Sequence, residues 1–205
     1  MIDKIAFIII GYLSGSILYA RIFGSMIKGK DIIKESRDQN PGTANAFMQG
    51  GFWCGALTLV FDMLKGFLPV YLYLHFSFPR QSEWLWQALI LAAPVYGHIY
   101  PVFYHFRGGK GIATTFGCLL GLFPDIKAAV ILAFFFLFFS LVLRVTPHFS
   151  RTIWTYVAAL LTMRILGMDL FMVIGFLFIV IGVFIRLYTS KEEREKCRVR
   201  LLWKH

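Results

Sequence analysis

Apolar residues dominate seven stretches of the chain, at 5–26, 52–76, 84–105, 111–124, 126–145, 151–167 and 169–188, with short polar breaks between them. Most are long enough to cross a hydrocarbon layer of about 30 Å as a helix rising about 1.5 Å per residue. The stretch at 111–124 is the shortest and is marginal for a crossing. The pattern predicts an all-α polytopic membrane protein, a compact bundle of about seven transmembrane helices. It places a single domain over residues 1–190 and a charged tail at 191–205. No small-residue cleavage site ends the first stretch, so it does not read as a signal peptide. Gly11 and Gly15 within it are spaced for close helix contact, and Arg21 near its end is expected to reach toward the cytosol.

Composition agrees with the pattern: 58% hydrophobic and 16% charged residues, with a mean hydropathy of +0.68, exclude a soluble domain with a polar surface. In a soluble chain the net charge of +10 would point to nucleic acid. In a membrane protein it is accounted for by basic residues retained on cytoplasmic loops, and no nucleic-acid partner is expected. Placing the C-terminus inside leaves only Lys4, Arg80, Lys127 and Arg164 on the far side, so the expected topology is N-out, C-in. Cys54, Cys118 and Cys197 form no CxxC pair, and neither a disulfide framework nor a metal site is implied.

The chemistry lies in polar positions that interrupt this pattern. Arg107-Gly108-Gly109-Lys110-Gly111 opens an apolar run that includes Thr114. Glycines let backbone N–H groups converge on a ligand, the following helix offers its positive end, and Lys110 adds a full charge, which together suit phosphate. A P-loop is excluded because Gly111 follows the lysine. The plainer reading is a basic turn facing lipid headgroups. Residues 27–50 read as a charged loop leading into Asn40-Pro41-Gly42-Thr43-Ala44-Asn45, where turn chemistry exposes hydrogen-bonding groups, or simply caps a helix. Asp62 and Lys65 lie three residues apart within the second stretch and can neutralise each other, as a structural pair or in a polar cavity. His98 sits twelve positions before Lys110, near the cytosolic end of its stretch, and can hydrogen-bond a phosphate or orient a hydroxyl. N-out, C-in topology brings 34–45 and 106–111 to one face.

Taken together these residues resemble the bacterial acyl-phosphate-dependent glycerol-3-phosphate acyltransferases of the inner membrane. The likeness runs through Gly11-Tyr12-Leu13-Ser14-Gly15-Ser16, Asn40-x-Gly42-Thr43-x-Asn45, Asp62-x-x-Lys65-Gly66, Gly97-His98-x-x-Pro101 and Gly108-Gly109-Lys110-Gly111-Ile112-Ala113-Thr114. The resemblance implies a multi-pass protein of the inner (cytoplasmic) membrane, in contact with its lipids. Its implied reaction is acyl transfer from acyl phosphate to the sn-1 hydroxyl of glycerol 3-phosphate without metal or cofactor. On this reading Lys110, His98 and Asn45 are the catalytic candidates. Arg37, Asn40, Gly42, Thr43, Arg107, Gly108, Gly109, Gly111 and Thr114 bind substrate, and Asp62 and Lys65 shape the cavity.

The chain departs from the family pattern at three places. Asp38 stands where a serine is usual, and Met48 where an arginine is usual, with Arg37 positioned to compensate for the lost charge. Of the third family motif only Arg186-Leu187-Tyr188 and an unaligned cluster, Glu192, Glu193 and Glu195, remain. Two other functions stay in view. One is a family member that has lost catalysis or accepts another acyl acceptor, acting in membrane binding or assembly. The other is a small transporter, which lacks an evident inverted repeat.

Overall fold

A computed structural model describes residues 2–29, 31–34, 36, 38–77, 79–190 and 196–201. Arg37 and the glutamates at 192, 193 and 195 lie outside these residues. The helices are α1 (Ile2–Gly15), α2 (Tyr19–Lys28), α3 (Thr43–Gly50), α4 (Phe52–Phe76), α5 (Trp84–Ile99), α6 (Ile112–Leu120), α7 (Lys127–Leu137), α8 (His148–Ile165) and α9 (Leu170–Thr189). One turn of π-helix, Phe138–Val142, extends α7. Strand β1 (Val145–Thr146) pairs antiparallel with β2 (Arg198–Val199), which ties part of the charged tail to the loop before α8.

Three helical stretches, Ile2–Lys28, Phe52–Phe76 and Leu170–Thr189, are long and apolar enough to cross a membrane. Helix α4 shows how the burial pattern is inverted relative to a soluble bundle. Leu57, Val60, Leu64, Leu68 and Leu72 form an exposed stripe, while Thr58, Asp62, Lys65 and Gly66 are buried. Polar side chains turn inward because hydrocarbon offers them no partner.

Close helix contact depends on glycine, as the Gly11–Gly15 spacing suggests. A Cβ on Gly15 would overlap the Pro94 carbonyl, so α1 seats directly against the backbone of α5. Gly66 and Gly117 do the same between α4 and α6, where a Cβ would run into the backbone of Thr114 and Met63 respectively. The paired positions give directions. Tyr12 Oη bonds the Tyr100 carbonyl at 2.6 Å and Lys4 pairs with Glu83, so α1 and α5 run parallel. Gly175 faces Ala88 and Gly182 faces Tyr96, so α9 runs with them. Helix α4 opposes α1, with Phe7 on Tyr73 at one end and Ser14 on the Lys65 carbonyl at the other.

Two expectations change. The stretch at 5–26 is broken at Ser16–Leu18, where Lys65 takes the Ile17 carbonyl (2.6 Å), while the Ser16 hydroxyl shares the Tyr12 carbonyl (2.8 Å) with the Ser16 N–H (2.9 Å). Residues 43–50 form a helix within the predicted loop, and Ile32 and Ile33 pin that loop by burial against Ala20, Ala46 and Cys54. Arg21, at the end of the stretch, pairs with Asp31 of the following loop at 2.7 Å.

Gly117→Val should destabilise the bundle by about 1–3 kcal/mol or more through overpacking against α4. Thermal unfolding in detergent, with lipid-facing Leu64→Val as the control, measures it.

Candidate active site

A cavity of about 550 Å³ opens where the loop before α3, the middle of α4, the end of α5 and the start of α6 meet. Its polar lining includes Asp38, Asn40, Thr43, Asn45, His98 and Lys110, and its apolar lining Phe47, Met48, Leu59, Ile112 and Phe116. The two loops that charge placed on one face are therefore brought into one site.

The glycine loop acts first as a cap. Helix α5 ends with carbonyls that need donors, and the N–H groups of Gly108 and Gly109 supply them, at 3.1 Å to Ile99 and 3.0 Å to His98. Arg186 then holds the carbonyls of Gly108 (2.5 Å) and Gly109 (3.3 Å) from α9. The amides expected to cradle phosphate are thus engaged, and this part of the expectation is corrected. What faces the cavity is Lys110, Gly111 and the first turn of α6, where unfilled N–H groups and the helix dipole favour an anion. Gly111 has φ +80°, which suits glycine and allows the chain to turn from cap to helix. A Cβ on Gly109 would overlap His98 Nε2, so that glycine makes room for the imidazole.

The Asn40–Asn45 turn is likewise organised internally. Asn45 donates both amide hydrogens, to Asp38 Oδ1 at 2.7 Å and to the Asn40 carbonyl at 2.8 Å, which leaves its own carbonyl oxygen as the group able to meet a substrate. Asn40 Oδ1 and Thr43 Oγ1 are buried without a hydrogen-bond partner among the described residues, as expected of atoms that a ligand completes. Gly42 lines the same wall.

Asp38 enters the cavity as an anion. Its carboxylate lies 3.4 Å from Lys110 Nζ. Partial burial pushes its pKa up, but the Asn45 amide, the Lys110 charge and the Asn40 N–H outweigh this and hold it below the ordinary carboxylate value. The group is charged at neutral pH and occupies the side of Lys110 that a phosphate would seek. Met48 lines the cavity with 69% of its surface exposed and supplies no charge.

Beneath the cavity lie Asp62, Lys65 and His98, all buried. Lys65 Nζ is 2.7 Å from Asp62 Oδ1 and 2.8 Å from His98 Nδ1. Removing either member of the ion pair would strand the other charge, at a cost of about 3–5 kcal/mol. Asp62 reaches the cavity wall, while Lys65 stands behind it.

Two of the expected binders stand apart: Arg107 is exposed outside the lining, and Thr114 is buried behind it, its hydroxyl unpartnered among the described residues. Two residues went unrecognised. His148, at the start of α8, lines the cavity, and only its position after a polar break marks it in the sequence. Arg186 was visible as the remnant of the third motif, but its bond to the glycine loop spans 77 positions and has no local signal.

The family model described as Glycerol-3-phosphate acyltransferase matches residues 5–196. A glycerol-3-phosphate acyltransferase of Albidiferax ferrireducens is 39% identical over 138 residues, covering 65% of this chain and 61% of that protein. One of Legionella pneumophila is 46% identical over 113 residues, 55% of this chain and 39% of its own length. The chain thus spans between two fifths and three fifths of the length of these curated relatives. Crystal structures of PlsY (YgiH), an integral membrane glycerol 3-phosphate acyltransferase, superpose with a TM-score of 0.75 for the glycerol 3-phosphate form and 0.74 for the lysophosphatidic acid form. Each is 26% identical and covers 90% of this chain, with 88% and 87% of the PlsY chains matched. With nearly its whole length matched by the family model and its fold shared with PlsY, the chain belongs to the glycerol-3-phosphate acyltransferase family.

Proposed function

We propose that the protein transfers a fatty acyl group from acyl phosphate to the sn-1 hydroxyl of glycerol 3-phosphate, giving lysophosphatidate and inorganic phosphate. The observation that carries this reading is a cavity lined both by Lys110 and the α6 N-terminus and by the apolar side chains of Phe47, Leu59 and Phe116. Such a site accepts a phosphate and an acyl chain together. The attacking hydroxyl oxygen forms a bond to the acyl carbon as the bond from that carbon to the phosphate oxygen breaks. The hydroxyl proton passes to an oxygen of the departing phosphate. Because phosphate is a good leaving group, the protein's contribution is orientation and charge stabilisation. Lys110 holds phosphate, Asn45 and Thr43 meet polar groups of the substrates, and His98 positions the reacting oxygen.

The same reading places the protein in a bacterial inner membrane as a seven-span bundle, N-out and C-in, with one domain over 1–190. The shared direction of α1, α5 and α9, opposite to α4, supports it. So does the gathering of Lys28, Lys34, Lys110 and Arg186 toward one end, with Lys4 and Arg80 at the other. In this orientation water-soluble glycerol 3-phosphate enters from the cytosol and the acyl chain from the bilayer.

The contact between Asp38 and Lys110 favours a second reading, in which the acceptor site is weakened or altered. A phosphate dianion must displace or tolerate the carboxylate, and repulsion of this kind amounts to a few kcal/mol at an effective dielectric of about 20.

Three outcomes are expected. Lys110→Ala should raise KM for the phosphate substrates roughly 10–100-fold while the protein stays folded, and Gly109→Val should lower turnover by displacing His98. Unchanged kinetics in both folded variants would remove this loop from the site. The double change Asp38→Ser with Met48→Arg should lower KM for glycerol 3-phosphate about 10-fold, read by mass spectrometry of lysophosphatidate formed from purified protein. No improvement over an efficient natural protein would mean that the site is tuned around its carboxylate. A cysteine-reactive probe on a tag between 37 and 39 should label from the cytosolic side alone, and periplasmic labelling would reverse the orientation.

A further inference from the structure

Three acceptors surround the Lys65 ammonium: the Ile17 carbonyl at 2.6 Å, Asp62 Oδ1 at 2.7 Å and His98 Nδ1 at 2.8 Å. An ammonium has three N–H donors and no lone pair. The carbonyl takes one of them, the carboxylate balances the charge at ion-pair distance, and another points at the imidazole. His98 Nδ1 must then carry no proton, because two donors cannot share a 2.8 Å contact. We propose that Lys65 is a positioning residue that holds His98 as the neutral tautomer protonated at Nε2, so that His98 offers the cavity a hydrogen-bond donor and not a base.

The surroundings of the ring agree. The Nε2 edge faces Gly109, where only a missing side chain makes room for it, and His98 lines the cavity beside Lys110. The charged groups around the ring are Asp62 and Lys65 of α4, Lys110 of the glycine loop and Arg186 of α9. Asp62 is the one acceptor among them that could take a proton from Nδ1. Its Oδ1 is 3.9 Å away, beyond hydrogen-bond reach, and lies 2.7 Å from the Lys65 ammonium.

The kinetic consequence rests on the acyl-transfer reading. An Nε2–H donor can bind a phosphate oxygen or the acyl oxygen that gains negative charge as the hydroxyl attacks. It has no lone pair at Nε2 to receive the hydroxyl proton, which therefore leaves with the phosphate. Lys65 never touches substrate and acts through the imidazole.

The tautomer is measurable without any substrate. Long-range proton–nitrogen spectra of the full-length, nitrogen-15 labelled protein, with His98 assigned by the signal lost in His98→Gln, should show the Nε2–H form unchanged between about pH 5.5 and 8. An Nδ1–H form, or titration of His98 in that window, would overturn the proposal. In the double variant Asp62→Asn with Lys65→Met, which leaves no lone buried charge, His98 should lose the fixed tautomer, and kcat should acquire a pH dependence beyond that of the natural protein with the same phosphate substrates. If that variant does not fold, side-chain geometry gives a separate test. Glutamine can place an amide N–H near the position of Nε2 and asparagine cannot. His98→Gln should therefore retain activity within about 10-fold, while His98→Asn and His98→Ala should fall about 100–1,000-fold. Equal losses in all three would count against the donor role. A fixed Nε2–H tautomer in a protein that transfers no acyl group would sink the proposed reaction and leave the assignment of Lys65 standing.

Discussion

A single buried ammonium organises this molecule. Lys65 can exist inside an apolar bundle only if its charge is balanced and its three hydrogens are accepted. Asp62 balances the charge one turn away on the same helix. The other two acceptors must come from elsewhere, and they do: one from the broken segment between α1 and α2, the other from α5. The break at Ser16–Leu18, a defect when viewed along one helix, is what exposes the Ile17 carbonyl to the lysine. Three chain segments distant in sequence are thereby held in register beneath the cavity.

Above that layer the site is assembled by backbone satisfaction. The end of α5 leaves carbonyls that Gly108 and Gly109 complete, and the carbonyls of those glycines are in turn completed by Arg186. The sequence of demands runs from α5 to the loop to α9, and its by-product is the placement of Lys110 at the head of α6. Cationic character at the cavity comes from Lys110 and a helix terminus. It is offset by Asp38, whose carboxylate is locked in place by Asn45. The cavity wall is consequently nearly neutral around Lys110.

The packing follows the logic of hydrocarbon. With leucine no better buried against a neighbour than against lipid, helices associate where small residues let backbones meet. Gly15 against Pro94 and Gly117 against Met63 are such places. The apolar cluster that includes Tyr156 and Phe176, stacked at 5.5 Å, runs through α5–α9 and reaches the cavity at Phe116. The site half is held mainly by polar contacts and by Ile32 and Ile33, which anchor an otherwise charged loop.

Hydrophobic runs, their lengths and the placement of basic residues were enough to establish a helical membrane protein. The run at 52–76 coincides with α4, because a long, mainly apolar run in hydrocarbon has no competing way to satisfy its backbone. The motif residues Asn45, Asp62, His98 and Lys110 were legible as candidates because polar groups are costly in such a setting and must be answered for. What each of them does was decided by tertiary structure. Asn45 spends its donors on its own turn, Gly108 and Gly109 spend theirs on α5, and His98 receives its proton pattern from a lysine 33 positions away. Hydrogen-bond capacity is a local property of a residue type. Which partner uses that capacity is settled only when distant segments meet, and the short α3, the break after α1 and the Arg186 clamp all arise at that stage for the same reason.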